Sequence, residues 1–132
     1  MDSDIPPYQL HTNRELGMML RGEKPLAVFS DAVDQFPEAV LRYLRFFDRH
    51  VSAGRLIKQE EILPPGDWRT FHVQRIYFAL PGEEWRIEAM KELKRSGTWS
   101  LAHERREGEL LGYEDWQNDW FIDQQKKRGL RG

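Results

Sequence analysis

The sequence predicts an α+β fold in which a small antiparallel sheet, made of a hairpin and one further strand, packs with about five helices. Two runs rich in β-branched and aromatic residues, Arg55–Leu63 and Thr70–Leu80, flank the turn residues Pro64–Asp67, which is typical of a β-hairpin. Elsewhere apolar residues recur at the three- and four-residue spacings of helices. The predicted order is helix, strand, helix, two strands and three helices, with a C-terminal helical hairpin.

The first predicted elements are a short helix and a buried strand. Residues 1–11 show little periodicity, so we expect a flexible or loosely docked N-terminal arm. Thr12 and Glu15 have the spacing of a capping box, and Gly22 provides a left-handed stop, which predicts a helix between them. The apolar run Leu26–Phe29 has the length and composition of a strand that is covered on both faces.

The second helix has the clearest amphipathic pattern in the chain. Pro37 fits its first turn, and Gly54 is expected to end it. The face opposite its apolar stripe carries arginines at three- and four-residue steps. The apolar positions of this helix are Phe36, Val40, Tyr43, Leu44, Phe47 and Val51.

The second arm of the hairpin changes phase along its length. Its apolar residues shift from Phe71 and Val73 to Ile76, Phe78 and Leu80, which a single alternation does not explain. Two explanations stay open. The strand contains a bulge near Gln74 and Arg75, or both of its faces are buried at the far end.

Three helices are predicted after the hairpin. Glu83 and Glu84 suit the start of the third helix, and Thr98 can cap a fourth that ends at Gly112. The fifth is expected to run from about Glu114 into the basic tail at Lys126–Arg128. The inner face of the third helix is predicted to comprise Trp85, Ala89, Met90 and Leu93.

Composition limits the class of protein. A chain of 132 residues has the size of one domain, which we place at residues 12–128, with a flexible tail at 129–132. Zero cysteines exclude disulfides and thiolate chemistry, and a formal net charge of −2 disfavours a protein that mainly grips nucleic acid. Neither an apolar run of membrane-spanning length nor a signal-peptide pattern is present, so we expect a cytoplasmic protein with no membrane partner.

The segment from Glu107 to Asp123 contains six carboxylates, no lysine or arginine, and four aromatic residues. Such aromatic side chains must be covered either by the fold or by a partner. On the predicted last helix, Trp116 and Trp120 are i,i+4 neighbours beside a parallel row of aspartates. The indoles therefore either pack the helix onto the rest of the fold or anchor another macromolecule that the carboxylates steer.

The leading prediction is a small non-enzymatic protein that binds another macromolecule, as an inhibitor, immunity protein or adaptor. Its partner is expected to be another protein or a second copy of the chain. No cofactor is predicted, because the chain contains no catalytic or cofactor-binding motif. The predicted partner-binding residues are Tyr113, Asp115, Trp116, Asp119, Trp120 and Asp123, together with Trp68 at the tip of the hairpin.

A small hydrolase or nuclease is the alternative from another class. His72 could act as a general acid or base on one face of the hairpin, with Glu60, Glu61 and Arg75 nearby. The plainer interpretation is a solvated sheet face with cross-strand charge pairs.

A metal site is a weaker hypothesis. His103 has i,i+4 spacing with Glu107, but two ligands are too few, and the intervening arginines would oppose a cation. No metal is therefore predicted, and a solvated helix face explains the pattern.

Nucleic-acid binding is the further alternative. Phosphate contacts require basic side chains on one face, and the second helix and the residues after it provide such a row. A solvated helix face explains the same residues. The row consists of Arg42, Arg45, Arg49, Arg55 and Lys58.

Overall fold

A computed structural model of the protein describes residues 5–129. The order of its elements is the predicted one, and the α+β class with a three-stranded antiparallel sheet and five helices is confirmed. Predictions that concern residues 1–4 and 130–132 lie outside the described residues. The elements are α1 (Glu15–Leu20), β1 (Leu26–Ala32), α2 (Glu38–Ser52), β2 (Ile57–Leu63), β3 (Val73–Ala79), α3 (Trp85–Lys94), α4 (Leu101–Leu111) and α5 (Asp115–Lys127).

The chain forms two compact units. The central unit is Leu26–Ile87, and the terminal unit comprises the described residues before Leu26 and after Ile87. The boundary falls within α3. The prediction of one domain over residues 12–128 stays a prediction.

The sheet lies in the central unit and has the strand order β1-β3-β2, with both pairs antiparallel. The register of β2 with β3 runs without interruption from Ile57 opposite Ala79 to Leu63 opposite Val73, so these strands contain no bulge. The four residues Ile76–Ala79 are all buried. The change of phase therefore arises because the far end of this central strand is covered on both faces.

The core of the central unit is built from aromatic contacts between α2 and the sheet. Phe47 is fully buried, with ring-centroid distances of 4.4 Å to Phe78 and 5.3 Å to Phe29. Tyr43, one helical turn earlier, lies 5.1 Å from Phe47 in an edge-to-face arrangement, which is favourable between aromatic rings. The predicted apolar stripe is therefore the inner face of α2, and Gly54 follows the helix with a φ of +77°.

The helical hairpin of α4 and α5 lies in the terminal unit and is confirmed. Gly112 ends α4 with a φ of +95°, a conformation that favours glycine. A Cβ at this position would also lie 2.5 Å from Pro25 Cδ. At Gly108, a Cβ would lie 2.0 Å from Asn118 Oδ1, so the two helices approach closely at a residue without a side chain.

Two of the predicted helix caps are wrong. Helix α1 begins at Glu15, and the residue before it makes no side-chain cap, because the chain forms a turn at His11 and reaches a φ of +66° at Asn13. The predicted box of Thr12 and Glu15 therefore does not form. Helix α4 is capped by Ser100 instead of Thr98.

The predicted inner face of α3 also needs correction. Trp85 is 50% exposed and donates an Nε1 hydrogen bond of 3.1 Å to Glu83, while the guanidinium of Arg86 lies over its ring. The buried residues of this helix are Ile87 and Met90. The first turn of α3 thus keeps its indole at the surface.

Candidate functional site

Three aromatic side chains of the terminal unit pack around that of Tyr8. Its ring lies edge-on to those of Tyr113, Trp116 and Trp120, at centroid distances of 6.0, 5.4 and 5.8 Å. Edge-to-face contacts of this length are favourable. We call these four residues the aromatic cluster. The i,i+4 spacing of the two tryptophans on α5 allows one ring from the N-terminal segment to contact both of them.

The cluster is only partly covered. Trp116 remains 49% exposed although Tyr8 packs against it, while Tyr8, Tyr113 and Trp120 are half-buried. The indole of Trp116 is also held by a 2.9 Å hydrogen bond from its Nε1 to Glu114. An exposed aromatic surface is thus presented in a defined orientation.

The predicted acidic row lies beside the cluster. Asp115, Asp119 and Asp123 are all exposed on α5. Asp119 accepts a 2.5 Å hydrogen bond from Arg105, and Asp123 lies 3.5 Å from Lys127. Both pairs are at the surface, where ion pairs contribute little to stability and leave the carboxylates accessible.

A buried polar group supports the base of the cluster. The ring of His11 stacks on that of Tyr113 at 3.7 Å, and the His11 amide donates to the Tyr113 hydroxyl at 2.9 Å. Lys24 is 2% exposed, with its Nζ 2.8 Å from His11 Nδ1 and 2.7 Å from the Leu111 carbonyl oxygen. Since a protonated lysine only donates, His11 Nδ1 accepts, and the imidazole proton then lies on Nε2.

Burial shifts the protonation of these groups. It lowers the pKa of Lys24 to about 7 and, with Lys24 and Arg14 adding repulsion, that of His11 to about 4. Burial also raises the pKa of Tyr113. Desolvation dominates each shift, because it disfavours the charged form of the group.

A cleft of about 170 Å³ lies between α4, α5 and the N-terminal segment. Its lining is mostly apolar and includes two glutamates of α4. Two residues of the aromatic cluster contribute to its wall. The lining residues are Tyr8, Leu10, Glu104, Glu107, Gly108, Leu111, Tyr113, Asn118 and Phe121.

Trp68, the remaining predicted anchor, lies at the tip of the hairpin in the central unit. Its side chain is 97% exposed. The tip is ordered by Arg69, whose guanidinium donates to the carbonyl oxygens of Pro64 at 2.9 Å and Phe71 at 3.2 Å. These two hydrogen bonds therefore hold the turn that carries Trp68. Trp68 and the aromatic cluster belong to different units.

The structure separates the residues of the alternative catalytic prediction. His72 is exposed and precedes β3. Glu61 lies 3.6 Å from Arg75 and accepts a hydrogen bond from Tyr77, whose pKa burial and Glu61 raise to about 12. Glu60 instead accepts a 3.0 Å hydrogen bond from Gln74. Because successive residues of a strand point to opposite faces, the two glutamates do not form one site, and catalysis stays an untested prediction.

The basic row lies in the central unit. Arg42, Arg45 and Arg49 are exposed on α2, and the Arg49 guanidinium lies 4.9 Å from the centre of the Phe46 ring. Arg45 and Lys58 are in ion pairs, 3.4 Å from Glu38 and 2.8 Å from Asp48 respectively. Arg55 donates a 3.1 Å hydrogen bond to His50 Nδ1.

The i,i+4 spacing of His103 and Glu107 on α4 has a structural explanation. His103 Nδ1 accepts a 3.1 Å hydrogen bond from the Ser100 amide, and Glu107 accepts one from Lys94. Within residues 5–129 no group of three or more His, Asp or Glu side chains could hold a metal ion. No helix in this same range is long and apolar enough to cross a membrane.

Sequence reasoning missed three residues of the site, namely Tyr8, His11 and Lys24. Tyr8 contacts α5, and His11 contacts Tyr113 between α4 and α5, each across about a hundred residues, which no local pattern encodes. Comparison with known proteins gives no match to a family model, a curated protein or a solved structure. The function of the site therefore has to be inferred from its residues alone.

Proposed function

We propose that this protein acts by binding a basic segment of another protein through the aromatic cluster and the aspartate row of α5. The observation that carries the proposal is the half-exposed indole of Trp116 beside three exposed carboxylates. Tryptophan is enriched among residues that dominate binding energy, and acidic groups around it favour a partner of opposite charge. Inhibitors, immunity proteins and adaptors all work by binding another protein.

Preorganisation supports this assignment. The Trp116 ring is held by Tyr8 on one side and by the carboxylate of Glu114 through its Nε1. Little side-chain entropy is then lost when a partner covers the indole. A half-covered aromatic group that served only the core would gain more from complete burial.

Charge favours a different protein over a second copy of this chain. A symmetric dimer formed through α5 would place Asp115, Asp119 and Asp123 near the same residues of the other copy. Like charges across an interface are unfavourable, whereas a segment rich in lysine and arginine would be attracted.

A random 12-residue peptide library displayed on phage tests the proposal. We expect the selected peptides to be enriched in lysine and arginine together with an apolar residue. Trp116→Ala is expected to weaken a selected peptide by about tenfold or more, because an anchor of this kind is worth about 1.4 kcal/mol or more. Trp85→Ala is the matched control, since Trp85 is exposed to the same extent but is not part of the aromatic cluster.

Two results would overturn the proposal. One is a selection without basic enrichment, and the other is an equal effect of the two alanine substitutions. Circular dichroism of each variant, run alongside the binding assay, identifies any loss that comes from unfolding. Sedimentation of the free protein tests the alternative that the partner is a second copy of the chain. If that alternative holds, the protein sediments as a dimer, and Trp116→Ala dissociates it.

A further inference from the structure

The cleft beside the aromatic cluster is too small for a cofactor or a helix. Its volume is about 170 Å³, whereas sites for drug-sized ligands occupy about 300–1,000 Å³. A space of this size matches one amino-acid side chain. The walls therefore indicate which kind of side chain would fit.

The inner walls are apolar and aromatic. Leu10, Leu111 and Phe121 provide apolar surface, and the rings of Tyr8 and Tyr113 complete the wall. Such surfaces suit the methylene stem of a long side chain. The faces of tyrosine rings also attract a cation.

The lining also contains two acidic residues. Glu104 and Glu107 are three residues apart on α4, so both lie on the side of the helix that lines the cleft. Glu104 accepts a 2.8 Å hydrogen bond from Trp99 Nε1, and Glu107 accepts one from Lys94. Because an ionised carboxylate has about four acceptor positions, each retains capacity for a further donor.

We infer that this cleft takes one lysine or arginine side chain of the bound partner, with its stem on the apolar walls and its cation at Glu104 and Glu107. The inference rests on the proposed function and deepens it by naming the partner group that is recognised. A neutral apolar side chain would use none of the acceptor positions that the two carboxylates retain. An acidic one would be repelled by them.

The test uses n-butylguanidinium as the probe and n-butylurea as its neutral counterpart of the same shape. Titrations are followed by ¹H–¹⁵N NMR of the full chain. We expect n-butylguanidinium to shift the amide of Gly108, the side-chain amide of Asn118 and the indole N–H of Trp99. The urea should bind at least about fivefold more weakly, the size expected for one partly exposed charge interaction.

Charge-neutral substitutions locate the effect. Glu104→Gln and Glu107→Gln are each expected to weaken the guanidinium probe about fivefold. Glu109→Gln is the matched control on the same helix, because Glu109 pairs with Arg106 and does not line the cleft. If either glutamine variant loses its native spectrum, the comparison of the two probes on the unmodified protein still decides the result.

Equal binding of the two probes, or shifts confined to residues outside the cleft, would overturn the inference. Trp116→Ala is expected to leave probe binding unchanged, since Trp116 is not a lining residue. Probe binding that persists while library peptides show no dependence on Trp116 would contradict the proposed function and leave the cleft assignment standing. Peptides whose binding depends on Trp116, without any binding of the probe, would support the proposed function and contradict the cleft assignment.

Discussion

At the scale of single residues, the burial of Lys24 is the strongest electrostatic feature of the terminal unit. Its ammonium group contacts one imidazole nitrogen and one carbonyl oxygen in place of water. It also lies 5.8 Å from the centre of the Tyr113 ring. The desolvation of such a group is compensated only partly by two hydrogen bonds. Lys24 therefore ties the N-terminal segment to the end of α4 while it makes the fold sensitive to pH.

Protonation of Lys24 predicts how stability depends on pH. The folded pKa is about 7 against an ordinary 10.5, so between these values the unfolded chain binds more protons than the folded chain. The free energy of unfolding is therefore expected to rise from about pH 7 to about pH 10, by at most about 1.4 kcal/mol per pH unit. The raised pKa values of Tyr8, Tyr77 and Tyr113 reverse this trend at higher pH.

Urea unfolding at several pH values measures the effect. Lys24→Met should lose the rise across this window, and Lys126→Met, which alters an exposed lysine, should keep it. His11 adds a second rise between about pH 4 and its ordinary value of 6.5, because its folded pKa is also lowered. Identical slopes between pH 7 and pH 10 in the unmodified protein and Lys24→Met would contradict the assignment.

At the scale of elements, the start of α4 is specified by a reciprocal pair of hydrogen bonds. The side chain of Ser100 accepts from the His103 amide, and the imidazole of His103 accepts from the Ser100 amide. This reciprocal arrangement satisfies two donors that the first turn of α4 would otherwise leave free. It also fixes where α4 begins, and hence where Glu104 and Glu107 lie around the helix axis.

The cap gives a prediction with an internal control. Ser100→Ala is expected to lower the free energy of unfolding by about 1 kcal/mol, the usual loss of an N-cap. Thr98→Ala changes an exposed residue outside the helix, so its effect should stay within about 0.5 kcal/mol. Urea unfolding of both variants measures the difference, and a larger loss for Thr98→Ala would place the start of the helix elsewhere.

The elements themselves could be predicted because their signals are local. The stripe of α2, the turn after β2 and Gly112 each lie within one segment of sequence, and all three have the predicted role. The caps were less predictable, since Thr98 and Ser100 have equivalent chemistry two residues apart. Trp85 was assigned to the wrong face because its pairing with Glu83 and Arg86 competes with burial.

The candidate site was predictable only in part, for a related reason. Trp116, Trp120 and the aspartates share one helix, so their spacing alone places them together. Tyr8 reaches the two tryptophans, and Lys24 reaches the end of α4, from the other end of the chain. Contacts of such long sequence separation leave no periodic signal, and Lys24 has no neighbour in sequence that indicates burial.

At the scale of the whole molecule, the two ends of the described chain build one unit, and the proposed site lies within it. The formal net charge is only −2, so attraction of a basic partner must come from the local row of carboxylates. Such local attraction is screened by salt over about 10 Å at 0.1 M ionic strength. In the proposed complex, the aromatic anchors would then set where the partner binds.

The indole N–H signals of the five tryptophans provide the most direct test, because each reports on one side chain and the set includes the proposed anchors. A basic peptide selected from the library is titrated into ¹⁵N-labelled protein. The signals of Trp116 and Trp120 are expected to shift, while that of Trp85, which is not part of the aromatic cluster, stays in place. Shifts of Trp68 or Trp85 with no change at Trp116 would contradict the claim that α5 carries the docking surface.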